Sequence, residues 1–196
     1  MPKIIRPTRP QRQESRVKAP QLTTATLPAE SVPIGHPTLP GRYEAWTAHT
    51  QMRIGDTARH TSAAAWQIFA TGSAKTRFPP TAVPSNHSTS SQWRASISAV
   101  VGVLESMIDL AVGEGRSLLD IYTRQQKIAE IASGQASANG DVDKWDQFYE
   151  LRARLTVRHA LDIRILHRPD DDIFQRLREM AQAACREHAE YLAGPM

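Results

Sequence analysis

Along most of the chain the apolar positions return at helical intervals. Tyr43, Trp46, Met52, Ile54, Ala58, Ala65, Trp66 and Phe69 are spaced loosely like a helix face, with a break at Gly55-Asp56. This predicts one kinked helix, or two short ones, ending near Gly72. Further on, Trp93, Ile97, Val100, Val101, Leu104, Met107, Ile108 and Ala111 keep the i, i+4, i+7, i+8 spacing of one buried stripe. Thr89-Ser-Ser-Gln92 in front of them reads as a capping box, and Gly113 and Gly115 mark the stop. Leu118, Ile121, Tyr122, Ile128 and Ile131 predict another helix, closed by Gly134.

A long helix is then expected from Asp141 or Asp143 through Trp145, Phe148, Leu151, Leu155, Leu161 and Ile165, broken at His167-Arg-Pro-Asp170. The last predicted helix places Ile173, Leu177, Met180, Ala184, His188 and Tyr191 on one face, with acids in its first turn opposing the helix dipole. No run is read as sustained β alternation. The expected fold is therefore all-α. It comprises an extended basic Pro-rich arm (1–40), a basic aromatic helix or helix pair (41–72), a Pro-rich linker (73–88) and a helical bundle (89–194).

Composition adds a direction to this layout. Eight of the thirteen prolines fall in residues 1–40, so that stretch cannot contribute a regular ladder. Residues 1–80 carry eleven Lys and Arg against four Asp and Glu, whereas the remainder is slightly acidic. Arginine outnumbers lysine nineteen to five, a bias that favours bidentate phosphate contacts. The single cysteine, Cys185, excludes an internal disulfide framework, and the longest apolar stretch is interrupted by Glu105 and Asp109, so no membrane span is expected.

Local motifs for catalysis are missing. No His-Glu-x-x-His, Cys-x-x-Cys, phosphate loop or nucleophile elbow occurs. Cys185 and His188 share a helix face, and Asp170-Asp171-Asp172 sits where a helix N-terminus wants acids. No enzymatic activity, metal or cofactor is expected on these grounds. The basic front half carries the functional reading instead. Arg6, Arg9, Arg12, Arg16 and Lys18 on the arm, Arg42, Arg53 and Arg59 on the first helix, and Lys75 and Arg77 in the linker are the expected nucleic-acid contacts. His49 and His60 lie among them and suit a phosphate or water. Tyr43, Trp46, Trp66 and Phe69 are the expected subunit contacts, because an aromatic helix seldom stands free in water.

Arg42-Tyr43-Glu-Ala-Trp46 is similar to the start of the first helix in coat proteins of archaeal filamentous and rod-shaped viruses. Arg77-Phe78-Pro79 and Phe174-Gln-Arg-Leu177 resemble segments of rod-shaped plant virus coat proteins. The resemblance implies a major capsid protein that wraps double-stranded DNA with identical or paralogous copies and stacks into a helical nucleocapsid. The expected location is then the virion, and otherwise the cytoplasm. Two other readings use the same features: a plasmid or phage DNA-associated accessory protein, and a secreted effector whose N-terminus is an unfolded export signal.

Overall fold

The computed structural model describes residues 41–55, 57, 59–71, 76–84, 92–110, 116–138, 140–169 and 171–193. Two twelve-residue strands, β1 (Arg42–Arg53) and β2 (His60–Thr71), form an antiparallel hairpin. Gly55 enters the turn between them at φ 50°, a conformation that costs glycine little. Two short strands, β3 (Thr76–Arg77) and β4 (Thr81–Pro84), pair with the outer edge of β2. Helix α1 (Gln92–Asp109) then crosses the sheet, and β5 (Ser117–Thr123) returns parallel to β1. After α2 (Gln126–Ala132) and α3 (Val142–His159), β6 (Leu161–His167) adds parallel to β5. The chain closes with α4 (Asp172–Ala193). The sheet order is β3-β2-β1-β5-β6, with β4 also on β2.

Each face of the sheet has its own core. On one, Tyr43, Ala45, Trp66, Ile68, Leu119, Ile121 and Ile163 pack with Ile97, Val100, Leu104 and Met107 of α1 and with Trp145, Phe148 and Leu155 of α3. On the other, Trp46, Ala48, Ala63, Ala65 and Phe69 meet Phe174, Leu177, Ala181 and Cys185 of α4. The α1 contact is close because position 102 lacks a side chain. A Cβ added to Gly102 would lie 2.6 Å from the Trp66 ring, whose Nε1–H donates to Ser106 Oγ at 3.1 Å.

The all-α expectation is overturned, and with it the helix over 41–72. That segment is β1 and β2, the centre of a mixed sheet. The physical reason is two-sided burial. Ten of the twelve residues of β2 are buried, since α1 covers one face and α4 the other, so no polar alternation survives. Its run of three alanines, Ala63-Ala64-Ala65, also carries helix propensity. The helix expected through Leu118 and Ile131 is instead β5 followed by α2, separated only by Arg124 and Gln125.

The long helix expected to reach Ile165 stops at His159. Ala160 adopts a left-handed conformation (φ 47°) and caps α3, and β6 begins at the next residue. No glycine or proline announces this break. Strand β6 does alternate, with Leu161, Ile163 and Ile165 buried and Asp162 and Arg164 exposed, contrary to the reading that no run alternates. The start of α4 follows its expected chemistry: Ile173 N–H donates to Asp171 Oδ1 at 3.1 Å. The arm over 1–40 and Thr89 of the expected capping box lie outside the described residues.

Candidate functional site

Strand β5 ends at Thr123 opposite Thr47, while its parallel neighbour β1 runs on to Arg53, leaving a crevice beside β1 past the end of β5. Ligands of open α/β sheets bind in such crevices, beyond the carboxyl ends of strands. Here a cavity of about 450 Å³ is lined by His49 and Thr50 of β1, Gln92 of α1, Arg124 and Gln125 after β5, and Arg178 of α4. Four separate elements contribute to it. Thr47 ties the end of β5 to the middle of β1, its Oγ1 donating to the Tyr122 carbonyl at 3.0 Å.

His49 sits in a chain of hydrogen bonds that defines its protonation. Ser96 Oγ donates to the Gln92 carbonyl at 2.8 Å, so its lone pairs face His49 Nδ1–H, which donates to it at 3.1 Å. Gln125 Nε2 approaches His49 Nε2 at 3.4 Å as a donor, leaving Nε2 as the acceptor of the neutral ring. Burial, and then the positive charges of Arg124 and Arg178, hold the His49 pKa down to about 4.

A second charged cluster lies nearby on the sheet. Asp120 of β5 is fully buried and accepts from Arg42 Nη2 at 2.9 Å, Arg164 Nε at 2.7 Å and Arg164 Nη2 at 2.8 Å. Burial would raise its carboxyl, but the hydrogen bonds from Arg164 and Arg42 outweigh that and hold it below the usual carboxylate range. Two other conspicuous groups are absorbed by packing. Cys185 donates to the Thr61 carbonyl and His188 Nδ1 lies 2.8 Å from Thr61 Oγ1, so both join α4 to β2.

The structure disperses the residues that the sequence nominated. Arg42 is bound to Asp120, Arg53 Nε donates to the Thr57 carbonyl in the β1–β2 turn, and Arg59 is exposed beside that turn. Arg77 pairs through its backbone with Phe69 on β2. Arg6, Arg9, Arg12, Arg16, Lys18 and Lys75 lie outside the described residues. The four aromatics nominated as subunit contacts are core residues of their own chain. Tyr43 and Trp66 fill the α1 face, and Trp46 and Phe69 the α4 face. Trp46 packs against Tyr122 and Phe174 at centroid distances of 4.7 and 5.0 Å, with the Arg168 guanidinium 4.8 Å over its ring.

Of the cleft residues, sequence reasoning reached only His49. Ser96, Arg124, Gln125 and Arg178 were missed, because each is isolated in sequence and only the sheet topology joins them. The available signal was the short strand–turn–helix unit from Ser117 to Ala132, which places Arg124 and Gln125 at a strand's carboxyl end.

This architecture is the ribonuclease H fold. No family model matches the sequence, and no curated protein is detectably similar to it. Solved structures carry the likeness. Ribonuclease H1 from the halophilic archaeon Halobacterium salinarum superposes with a TM-score of 0.55 at 19% identity, covering 75% of this chain and 99% of that one. LC11-RNase H1 in complex with an RNA/DNA hybrid gives 0.54 at 11% identity over 74% of this chain and 99% of its own. The foamy viral protease-reverse transcriptase in complex with double-stranded DNA gives 0.54 at 15% identity over 76% and 95%.

These neighbours overturn the coat-protein resemblance and the helical nucleocapsid built on it, and they lend no support to the accessory-protein or effector readings. They also overturn the exclusion of enzymes drawn from missing motifs, since the fold is one on which ribonucleases are built. A nucleic-acid partner is compatible with them. Among the described residues no helix is long and apolar enough to cross a membrane.

Nucleases commonly use a pair of divalent cations, and hard cations require oxygen donors, above all carboxylates. The cleft does not fit that requirement. Its described lining residues are cationic or neutral, with no Asp or Glu. Among the described residues no group of three or more His, Cys, Asp or Glu could hold a metal ion. What the cleft offers is hydrogen-bond donors and positive charge past the end of β5, which suits an anion.

Proposed function

We propose that this chain is a nucleic-acid-processing protein of ribonuclease H architecture that engages the sugar–phosphate backbone of a duplex at the β1–β5 cleft. The observation that carries the reading is the convergence of Arg124 and Arg178 on His49, in the cleft past the end of β5 that Gln92 of α1 also lines. Guanidinium groups match phosphate oxygens bidentately and stabilise charge that builds on a phosphodiester. The solved neighbours support a nucleic-acid substrate: one was captured with an RNA/DNA hybrid and another with double-stranded DNA. Contacts of this kind grip the backbone and carry no base code, so engagement is sequence-tolerant.

The test uses the full chain with labelled RNA/DNA hybrid, double-stranded DNA and double-stranded RNA of matched length, following binding and integrity of each strand. We expect duplex binding that weakens steeply with salt, and a loss of roughly tenfold or more in the Arg124→Ala/Arg178→Ala variant. Absence of binding to all three duplexes at low salt would overturn the proposal.

A further inference from the structure

We infer that the cleft takes a phosphate group directly, without a divalent cation, with Arg124 and Arg178 supplying the charge and His49 contacting the anion between them. The inference rests on the nucleic-acid reading for the source of the phosphate, though its chemistry is independent of it. The donor set decides against a cation, as shown above, and decides for an anion by the same count. Arg124, Gln125 and Arg178 present N–H donors around one cavity, and Thr50 adds a hydroxyl. The volume of about 450 Å³ admits a phosphate group with its neighbouring sugar and solvent.

His49 gives the site a second property. The groups facing it are Ser96 and Gln92 from α1, Gln125 after β5, and the guanidiniums of Arg124 and Arg178. No described carboxylate is among them. In the ligand-free protein the ring is neutral, oriented by Ser96 on one side and Gln125 on the other. An entering phosphate offsets the two arginines and favours a proton on Nε2. That proton needs an acceptor, which the ligand oxygen provides, or the Gln125 carbonyl oxygen after its amide turns over. Phosphate binding is thereby coupled to proton uptake, and affinity rises as pH falls.

The measurement is imidazole nitrogen NMR of the full chain, with His49 assigned by loss of its signal in His49→Gln. Inorganic phosphate and a short RNA/DNA hybrid are each titrated in EDTA and again with Mg²⁺. We expect both ligands to perturb His49 equally well in EDTA. Its midpoint should move upward from about 4 by roughly one pH unit or more. Arg178→Ala should weaken both ligands roughly tenfold. Perturbation by phosphate without binding of the hybrid would leave the cleft assignment standing and defeat the nucleic-acid reading. Binding of the hybrid with His49 unmoved, or with Arg178→Ala equal to wild type, would defeat the cleft assignment and leave the nucleic-acid reading standing. A requirement for Mg²⁺ would overturn the inference, and no binding of either ligand would overturn both.

Discussion

Two arginine clusters lie near β5, one around Asp120 on the strand and one past its end around His49, and their difference separates support from function. Around Asp120, Arg42 and Arg164 close on a fully buried carboxylate, so the charges are matched inside the chain. Around His49, Arg124 and Arg178 line a cavity whose described walls include no carboxylate. The first cluster locks β1, β5 and β6 in register across the sheet. The second lines a cavity past the end of β5 and raises the positive potential around His49. Counting arginines cannot tell the two apart. What distinguishes them is their setting: one surrounds the buried Asp120, and the other lines an open cavity beside His49.

The largest effect is expected from stripping Asp120 of both partners. Arg42→Ala/Arg164→Ala strands a buried carboxylate, which should cost about 3–5 kcal/mol of stability in denaturant unfolding. If the variant is as stable as wild type, the Asp120 cluster is not structural. A similar scale is expected from pH. The unfolded chain binds the His49 proton below its ordinary value of 6.5, and the folded chain only below about 4. Between those values the unfolded state holds more protons, so stability is full above about 6.5 and falls as pH falls toward 4. The loss from His49 amounts to about 3 kcal/mol at full extent. His188, which burial also pushes down, adds in the same direction. His49→Gln should flatten the profile in this window, and an unchanged profile would show that the ring is not held neutral.

The smallest stability effect is expected at the cleft itself. Arg124 and Arg178 are exposed, so Arg124→Ala/Arg178→Ala should alter unfolding free energy by no more than about 0.5 kcal/mol. A loss comparable to that of the Asp120 pair would erase the distinction between the clusters.

The helices facing solvent on one side were legible from spacing alone. The helical character of α1 and α4 and the acids opening α4 lie where the pattern puts them. Trp93 and Tyr191 of the expected faces are exposed, however, and the buried stripe of α4 runs through Phe174, Leu177, Ala181, Cys185 and His188. The sheet was hidden where burial is two-sided. In β2, residues Thr61 through Ala70 are all buried, so the alternation that marks a strand is absent. The α3–β6 boundary was hidden for a different reason: a left-handed alanine, Ala160, makes the turn that glycine usually signals. Strand β6 was readable from Leu161-Asp-Ile-Arg-Ile165, had its alternation outweighed the helical spacing inherited from α3. At the candidate site only His49 stood out, as a histidine in a basic surrounding. Its partners come from α1, the β5–α2 turn and α4, and their proximity exists only once the parallel pairing of β1 with β5 is known.

Whether Arg124 and Arg178 hold a phosphate backbone is decided by the salt dependence of duplex binding, wild type against Arg124→Ala/Arg178→Ala, in EDTA. The log–log slope of the variant should be shallower by about 1.8, since each phosphate contact contributes about 0.9. Equal slopes for the two proteins, or binding that appears only when Mg²⁺ is restored, would contradict it.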